Sequence, residues 1–161
     1  MQGALLAIVK NCKFETATGL TVLNLNAHVS GCWLNCTTLD VAVVGSGTLG
    51  HALFNNCRWS NLTVTGGGDN LVFVGNKIEP ATSLTPGIDF TGITADSDGI
   101  IVANNVFQRQ SGTPVGIALD SNLITGLVTG NTFEGFTSGN EITGTPGANF
   151  DVYHNTSDAG A

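Results

Sequence analysis

The sequence predicts an all-β fold: a parallel β-helix, or solenoid, in which one chain coils through about seven turns of three short strands. Three observations carry the prediction. One turn motif recurs along the 161 residues: an Asn or Gly, then a Cys or Asn, and two positions later usually a large apolar or aromatic residue. The middle position of that motif falls at Cys12, Cys36, Cys57, Asn76, Asn105, Asn131 and Asn155, an irregular period of about 24 residues, which lies in the range of solenoid repeats. Finally, 22 glycines and a charged fraction of 11% suit short strands and tight bends, while 42% hydrophobic residues suffice for a thin continuous core.

The residue before each of those positions is Asn11, Asn35, Asn56, Gly75, Asn104, Gly130 or His154. These types tolerate positive φ, so each is read as a sharp bend. Three residues before the ladder position stand Val9, Trp33, Phe54, Phe73, Val102, Val128 and Val152; two after it stand Phe14, Thr38, Trp59, Ile78, Phe107, Phe133 and Ser157. Both sets are expected to point inward, which makes the segments on either side of the bend strands with period-2 alternation. A third strand fits between repeats. Its candidates run from Leu20 to Leu25, Asp40 to Val44, Asn61 to Thr65, Gly87 to Thr91, Gly116 to Asp120 and Glu141 to Thr143, each bordered by turn-forming residues. Turns stacked at the ordinary inter-strand spacing give a rod roughly 34 Å long. An inward Asn ladder suits this geometry, because each amide can bond the amide of the next turn and the backbone of its own bend.

The four cysteines follow the same register. Cys12, Cys36 and Cys57 are expected as stacked buried thiols where Asn stands in later turns, and Cys32 as an outward residue. His28, His51 and His154 occupy unrelated places in the turn, so no metal site is expected, and no cofactor. A formal net charge of −7 with five cations, Lys10, Lys13, Arg58, Lys77 and Arg109, argues against nucleic-acid binding. No apolar run has membrane-spanning length, and Met1 to Val9 lacks the basic start and long apolar stretch of a signal peptide. The expectation is one β-helix domain, 1–161, belonging to a longer chain, because a solenoid's open ends call for a cap that neither terminus supplies.

Four residues before each ladder position stand Ile8, Cys32, Leu53, Val72, Ile101, Leu127 and Asp151, which alternation places outside. The first six are apolar and form a candidate oligomer interface, with Leu34, Val74, Ala103 and Tyr153 beside them. Three rods packing this face around a common axis would bury it on every copy, so a homotrimer is expected.

The segments Gly99-Ile-Ile-Val-Ala-Asn-Asn-Val-Phe107 and Gly126-Leu-Val-Thr-Gly-Asn-Thr-Phe133 resemble the turns of right-handed parallel β-helix proteins of the pectate-lyase-like superfamily. The resemblance implies the right hand of the coil. Within that superfamily the acidic, Gly/Thr/Asn-rich chain looks most like part of a trimeric bacteriophage tailspike or related virion-associated adhesin. That likeness implies a rigid shaft or receptor-facing module on the virion surface, or a secreted one, contacting cell-surface polysaccharide.

The alternative is a polysaccharide-degrading glycoside hydrolase. It needs two carboxylates about 5–9.5 Å apart on one surface. Asp89 and Asp120, expected outward on the third strand in successive turns, are the candidate catalytic pair, with Asp96 and Asp98 nearby. The superfamily's defining hydrolase motifs are not visible, so the chain alone leans away from an enzyme. A lyase acting on acidic sugars would need more cations than are present. Trp33 and Trp59 fall on inward rows, leaving Phe136 and Tyr153 as exposed aromatic candidates. The sequons at Asn35 and Asn61 are candidate glycosylation sites, but Asn35 is already explained by the bend and a phage or bacterial origin would make both irrelevant; the Thr-x-Thr pairs beginning at Thr16, Thr63 and Thr143 share no register that would make an ice-binding face.

Overall fold

Alternating apolar residues make each segment a half-buried strand, and the short segments find their partners in the same segment of the next turn. The computed structural model describes residues 6–11, 13–15, 20–23, 26–31, 33–35, 39–43, 52–66, 69–81 and 86–158. Of residues 6–9, 13–15, 20–23, 26–29, 33–35, 39–43, 52, 65 and 66 it describes the backbone alone.

Three parallel sheets wrap the rod. Sheet A stacks β1 (Leu6–Lys10), β4 (Asn26–Ser30), β7 (Ala52–Asn55), β10 (Leu71–Val74), β13 (Ile100–Ala103), β16 (Thr125–Thr129) and β19 (Asn149–Tyr153), in that order. Sheet B stacks β2 (Lys13–Glu15), β5 (Trp33–Asn35), β8 (Arg58–Trp59), β11 (Lys77–Ile78), β14 (Val106–Gln108), β17 (Thr132–Glu134) and β20 (Thr156–Ser157). Sheet C stacks β3 (Leu20–Leu23), β6 (Leu39–Val43), β9 (Leu62–Gly66), β12 (Ile88–Ile93), β15 (Ile117–Ala118) and β18 (Ile142–Thr143). The chain visits A, B and C in rotation, and no helix occurs among the described residues. The protein is an all-β parallel solenoid. Each expected third strand coincides with a strand of sheet C to within a few residues.

Each sheet sends a column of side chains into the interior. Phe54, Phe73, Val102 and Val128 are fully buried on sheet A; Trp59, Ile78, Phe107 and Phe133 face them from sheet B; Leu62, Ile88 and Ile117 close the third side. Aromatic rings stack along the axis, Phe54 on Phe73 at 5.2 Å and Phe107 on Phe133 at 4.8 Å. Trp59 lies edge-on to both Phe54 and Phe73, and its indole N–H donates to the Gly87 carbonyl at 3.1 Å, so the polar end of the ring is satisfied inside the core. Phe136, expected at the surface, is buried: it packs edge-on against Phe133 at 5.7 Å, continuing the aromatic stack. On β19, Val152 is 43% and Tyr153 45% exposed.

The second turn departs from the expected register. Its left-handed bend is Gly31, at φ 61, whereas Asn35 lies inside β5. Trp33 pairs with Lys13 on one side and Arg58 on the other, so it occupies the position after the ladder instead of the inward position of Phe54. In the outer row of sheet A, His28 stands between Ile8 and Leu53 where Cys32 was expected. The apolar residues explain the choice. Counting from Gly31 puts Val29 in register with Val9 and Phe54, and Leu34 in register with Phe14 and Trp59, whereas counting from Asn35 would put Thr38 in an inward slot. Cys12, Cys32 and Cys36 themselves lie outside the described residues.

Candidate functional site

The corner between sheets A and B fixes every outward row, and two ladders build it. On the inside, Asn76, Asn105 and Asn131 are buried, with Asn155 half-buried at the end. Each side-chain Nδ2 donates to the Oδ1 of the next: Asn76 to Asn105, Asn105 to Asn131 and Asn131 to Asn155, all at 2.9 Å. The same Oδ1 atoms accept the backbone N–H of Asn76, Asn105 and Asn131 at 2.9–3.0 Å, and the Asn76 Oδ1 accepts that of Cys57. Each Nδ2 spends its second proton on a carbonyl of a preceding turn: Phe54, Phe73, Val102 and Val128. No amide in this stack lacks a partner, which is the condition for burying it without cost. Cys57 holds the same place in its turn as a buried thiol, donating to the Asn55 carbonyl at 3.4 Å.

On the outside of the same corner the left-handed residues alternate strictly: Asn11, Gly31, Asn56, Gly75, Asn104, Gly130 and then His154. The alternation is steric. A Cβ on Gly31 would sit 2.5 Å from the Asn11 Oδ1, one on Gly75 3.1 Å from the Asn56 Oδ1, and one on Gly130 2.5 Å from the Asn104 Oδ1. Each Asn side chain therefore lies over the bare backbone of the glycine in the next turn.

With the corner fixed, sheet A turns one row outward, Leu53, Val72, Ile101, Leu127 and Asp151, in backbone register with Ile8 and His28 of the earlier turns. Leu53, Val72, Ile101 and Leu127 are each half-buried. Four consecutive strands thus present branched apolar side chains in line. Beside them run Asn55, Val74, Ala103, Thr129 and Tyr153.

On sheet B the row Arg58, Lys77, Val106, Thr132 and Thr156 faces outward, in backbone register with Lys13 and Trp33 of the earlier turns. The Arg58 and Lys77 side chains are 48% and 46% exposed, and both bind Glu79, whose own side chain is 10% exposed. The Arg58 Nε donates to one carboxylate oxygen; the Lys77 Nζ lies 3.1 Å from the other, which also accepts from Gln110 Nε2 at 3.4 Å. Burial alone would raise the Glu79 pKa, but the hydrogen bonds and charges of Arg58 and Lys77 outweigh it and hold the carboxyl below its ordinary value. The Glu141 carboxyl is also held below its ordinary value, its burial outweighed by hydrogen bonds from the Ser157 hydroxyl and the Gly139 N–H.

The two candidate catalytic acids are not brought into one row. Asp89 is in register with Thr63 and Ala118, and Asp120 stands two residues beyond the end of β15. Each carboxylate does local work. β12 carries an extra residue against β9 between Asp89 and Gly92, and the Asp89 Oδ1 accepts the N–H and the hydroxyl of Thr91 at 2.9 and 2.7 Å, tying down that bulge. The Asp120 Oδ1 accepts the Asn122 N–H at 2.9 Å and closes the turn after β15. Such Asx turns are the commonest use of a loop aspartate. Asp98 accepts from the Thr125 hydroxyl at 2.9 Å, and Asp96 is exposed. The Asn61 sequon is equally committed: its side chain is buried and donates to the Pro86 carbonyl at 2.9 Å.

These rows define a parallel β-solenoid with an apolar outer row on sheet A and an Arg58–Glu79–Lys77 cluster on sheet B. No family model, curated protein or solved structure matches the chain.

Proposed function

We propose that the chain is the rigid β-helical shaft or receptor-facing module of an oligomeric, tailspike-like adhesin that contacts cell-surface polysaccharide, carried on a virion or secreted. In this reading the rod is a right-handed coil of seven turns, like those of the pectate-lyase-like superfamily, and three copies pack sheet A against a common axis. The observation that supports it is the line of Leu53, Val72, Ile101 and Leu127, in register on consecutive strands and each left half-buried. A solenoid whose corner amides are all paired has no freedom to turn these residues inward, so burial has to come from outside, and a cyclic assembly gives it to every copy equally.

The experiment is the solution mass by light scattering over a dilution series. A trimer that persists on dilution is expected. A monomer at every concentration would overturn the reading.

A further inference from the structure

Where the chain passes from sheet C into sheet A, an aspartate stands directly before a glycine. Asp98-Gly99 is the only Asp-Gly or Asn-Gly pair in the sequence. Such a pair is open to a spontaneous reaction, in which the backbone nitrogen of the glycine attacks the side-chain carboxyl of the residue before it and closes a five-membered imide. Two obstacles ordinarily keep it slow. The amide N–H has to lose its proton to become a nucleophile, and the carboxyl has to be turned toward it.

The corner requires the glycine and holds the aspartate. Gly99 stands at φ 67, and a Cβ there would sit 2.7 Å from the Asn70 Oδ1. The Asp98 N–H donates to the Asp69 Oδ1 at 3.1 Å, and the Asp98 carbonyl accepts the Asn70 N–H at 2.7 Å. The backbone of the pair is therefore fixed from the preceding turn, while Asp98 itself is exposed and Gly99 half-buried, so water reaches both.

Thr125, the first residue of β16 in the following turn, joins the two reacting groups. The Gly99 N–H donates to the Thr125 Oγ1 at 2.9 Å, and the same hydroxyl donates to the Asp98 Oδ1 at 2.9 Å. One oxygen thus touches both the nucleophile and the oxygen that has to leave, and the two hydrogen bonds run in the direction the proton has to travel. A single side chain meets both obstacles, holding the carboxyl on the side of the Gly99 nitrogen and offering a path for the proton.

We propose that Asp98-Gly99 is a self-modifying site, in which Thr125 relays a proton and Asp98 passes through a cyclic imide to an isoaspartyl residue. The Gly99 nitrogen bonds to the Asp98 Cγ; its proton goes to the Thr125 Oγ1 as the Thr125 proton goes to the Asp98 Oδ1. With a second proton from solvent, that oxygen leaves as water. Water then adds to the main-chain carbonyl carbon of Asp98, the bond from that carbon to nitrogen breaks, and a proton returns to solvent. The backbone now runs through the Asp98 Cβ and Cγ. Addition of water to Cγ restores aspartate instead. Nothing is oxidised or reduced, and water is the only co-reactant. The main chain becomes one methylene longer immediately before β13, the strand that carries Ile101, so the change acts on the register of sheet A. The inference does not depend on the oligomeric reading of that sheet.

The test incubates the whole chain at neutral pH in water enriched in heavy oxygen and maps its peptides by mass. Either opening of the imide leaves a solvent oxygen on residue 98, and electron-transfer fragmentation separates the isoaspartyl from the aspartyl backbone. Label and isoaspartate are expected at Asp98 ahead of Asp96 and Asp120. Thr125→Val should slow labelling roughly tenfold, and Thr125→Ser, which keeps the hydroxyl, should restore it. Asp98→Glu should abolish it, because the larger ring closes far more slowly. Circular dichroism checks that each variant is folded, and the labelling of the native chain needs no variant. A native chain that takes up no label at Asp98 overturns the inference. Labelling of Thr125→Val as fast as the native chain, or faster, overturns it too, since the hydroxyl would then guard the amide. Labelling of Thr125→Ser as slow as Thr125→Val would assign the effect to packing and overturn the relay.

Discussion

Asn131 accepts two hydrogen bonds from Asn105 through a single oxygen: its Oδ1 lies 2.9 Å from the Asn105 side-chain nitrogen and 3.0 Å from the Asn105 backbone nitrogen. One amide thereby ties two turns together twice, once through a side chain and once through the bend itself.

Replacing Asn131 with Leu removes that acceptor and both of its own donors. The Asn105 N–H and Nδ2, the Val102 carbonyl and the Asn155 Oδ1 all lose a partner. Each stranded buried group costs about 1–3 kcal/mol, so urea titration is expected to show a loss of more than about 3 kcal/mol. A loss below about 1 kcal/mol would mean that water enters the corner and replaces the amide.

Gly130→Ala meets two penalties at once. The backbone stands at φ 64, and the new Cβ would sit 2.5 Å from the Asn104 Oδ1. A cost of about 2 kcal/mol is expected. Adding Asn104→Gly removes the clash but not the φ penalty, so the double variant should regain about 1 kcal/mol in a double-mutant cycle. Strict additivity of the two changes would assign the whole effect to the backbone.

Leu127→Lys places a charge in the middle of the apolar row on sheet A. Leu127 is half-buried and faces away from the core, so the far-ultraviolet circular dichroism and melting temperature should change little. The mass by light scattering should fall to that of one chain. Unfolding of the variant would show that this face is interior and that no interface lies there.

Glu79 and Glu141 both have pKa values below the 4.5 of a free glutamate side chain. Between the lowered folded value and the unfolded value the unfolded chain binds more protons, so protonation favours unfolding. The stability these groups contribute is fully present above about pH 4.5 and is lost as pH falls through the folded values. Glu79→Gln should therefore flatten the acid limb of a stability-versus-pH curve while destabilising the protein at pH 7. An unchanged acid limb would assign it to other carboxylates.

Much of the fold was legible because the corner chemistry is local. Asn76, Asn105 and Asn131 announce themselves by the Gly or Asn before them and the apolar residue two places after. The second turn was misread for a reason that lies in the corner itself. Along a straight strand an error of four residues keeps a side chain on its face, because the period is two. A left-handed bend shifts that phase: Phe54 and Cys57, three apart, are both buried. An error of four across the bend therefore moved Trp33 from the row of Arg58 to that of Phe54. Thr38 in an inward slot was the visible sign, against Leu34 for the correct count. Asp89 and Asp120 were harder, because nothing in a list of outward aspartates distinguishes a reacting carboxylate from one that ties down a bulge or a turn. Phe136 lies in a loop, where alternation gives no guide to burial.

The strict exchange of Asn and Gly along the outer corner means that the unit this rod can gain or lose is two turns. Excising the single turn that bends at Gly75 would bring Asn104 against Asn56, two side chains competing for the space that each now finds above a glycine. Excising that turn together with its neighbour leaves the sequence of large and small intact. Lengthening or shortening the rod, by recombination or by design, is thus a matter of parity: even steps preserve the corner, and odd steps leave one collision that must be repaired by substitution.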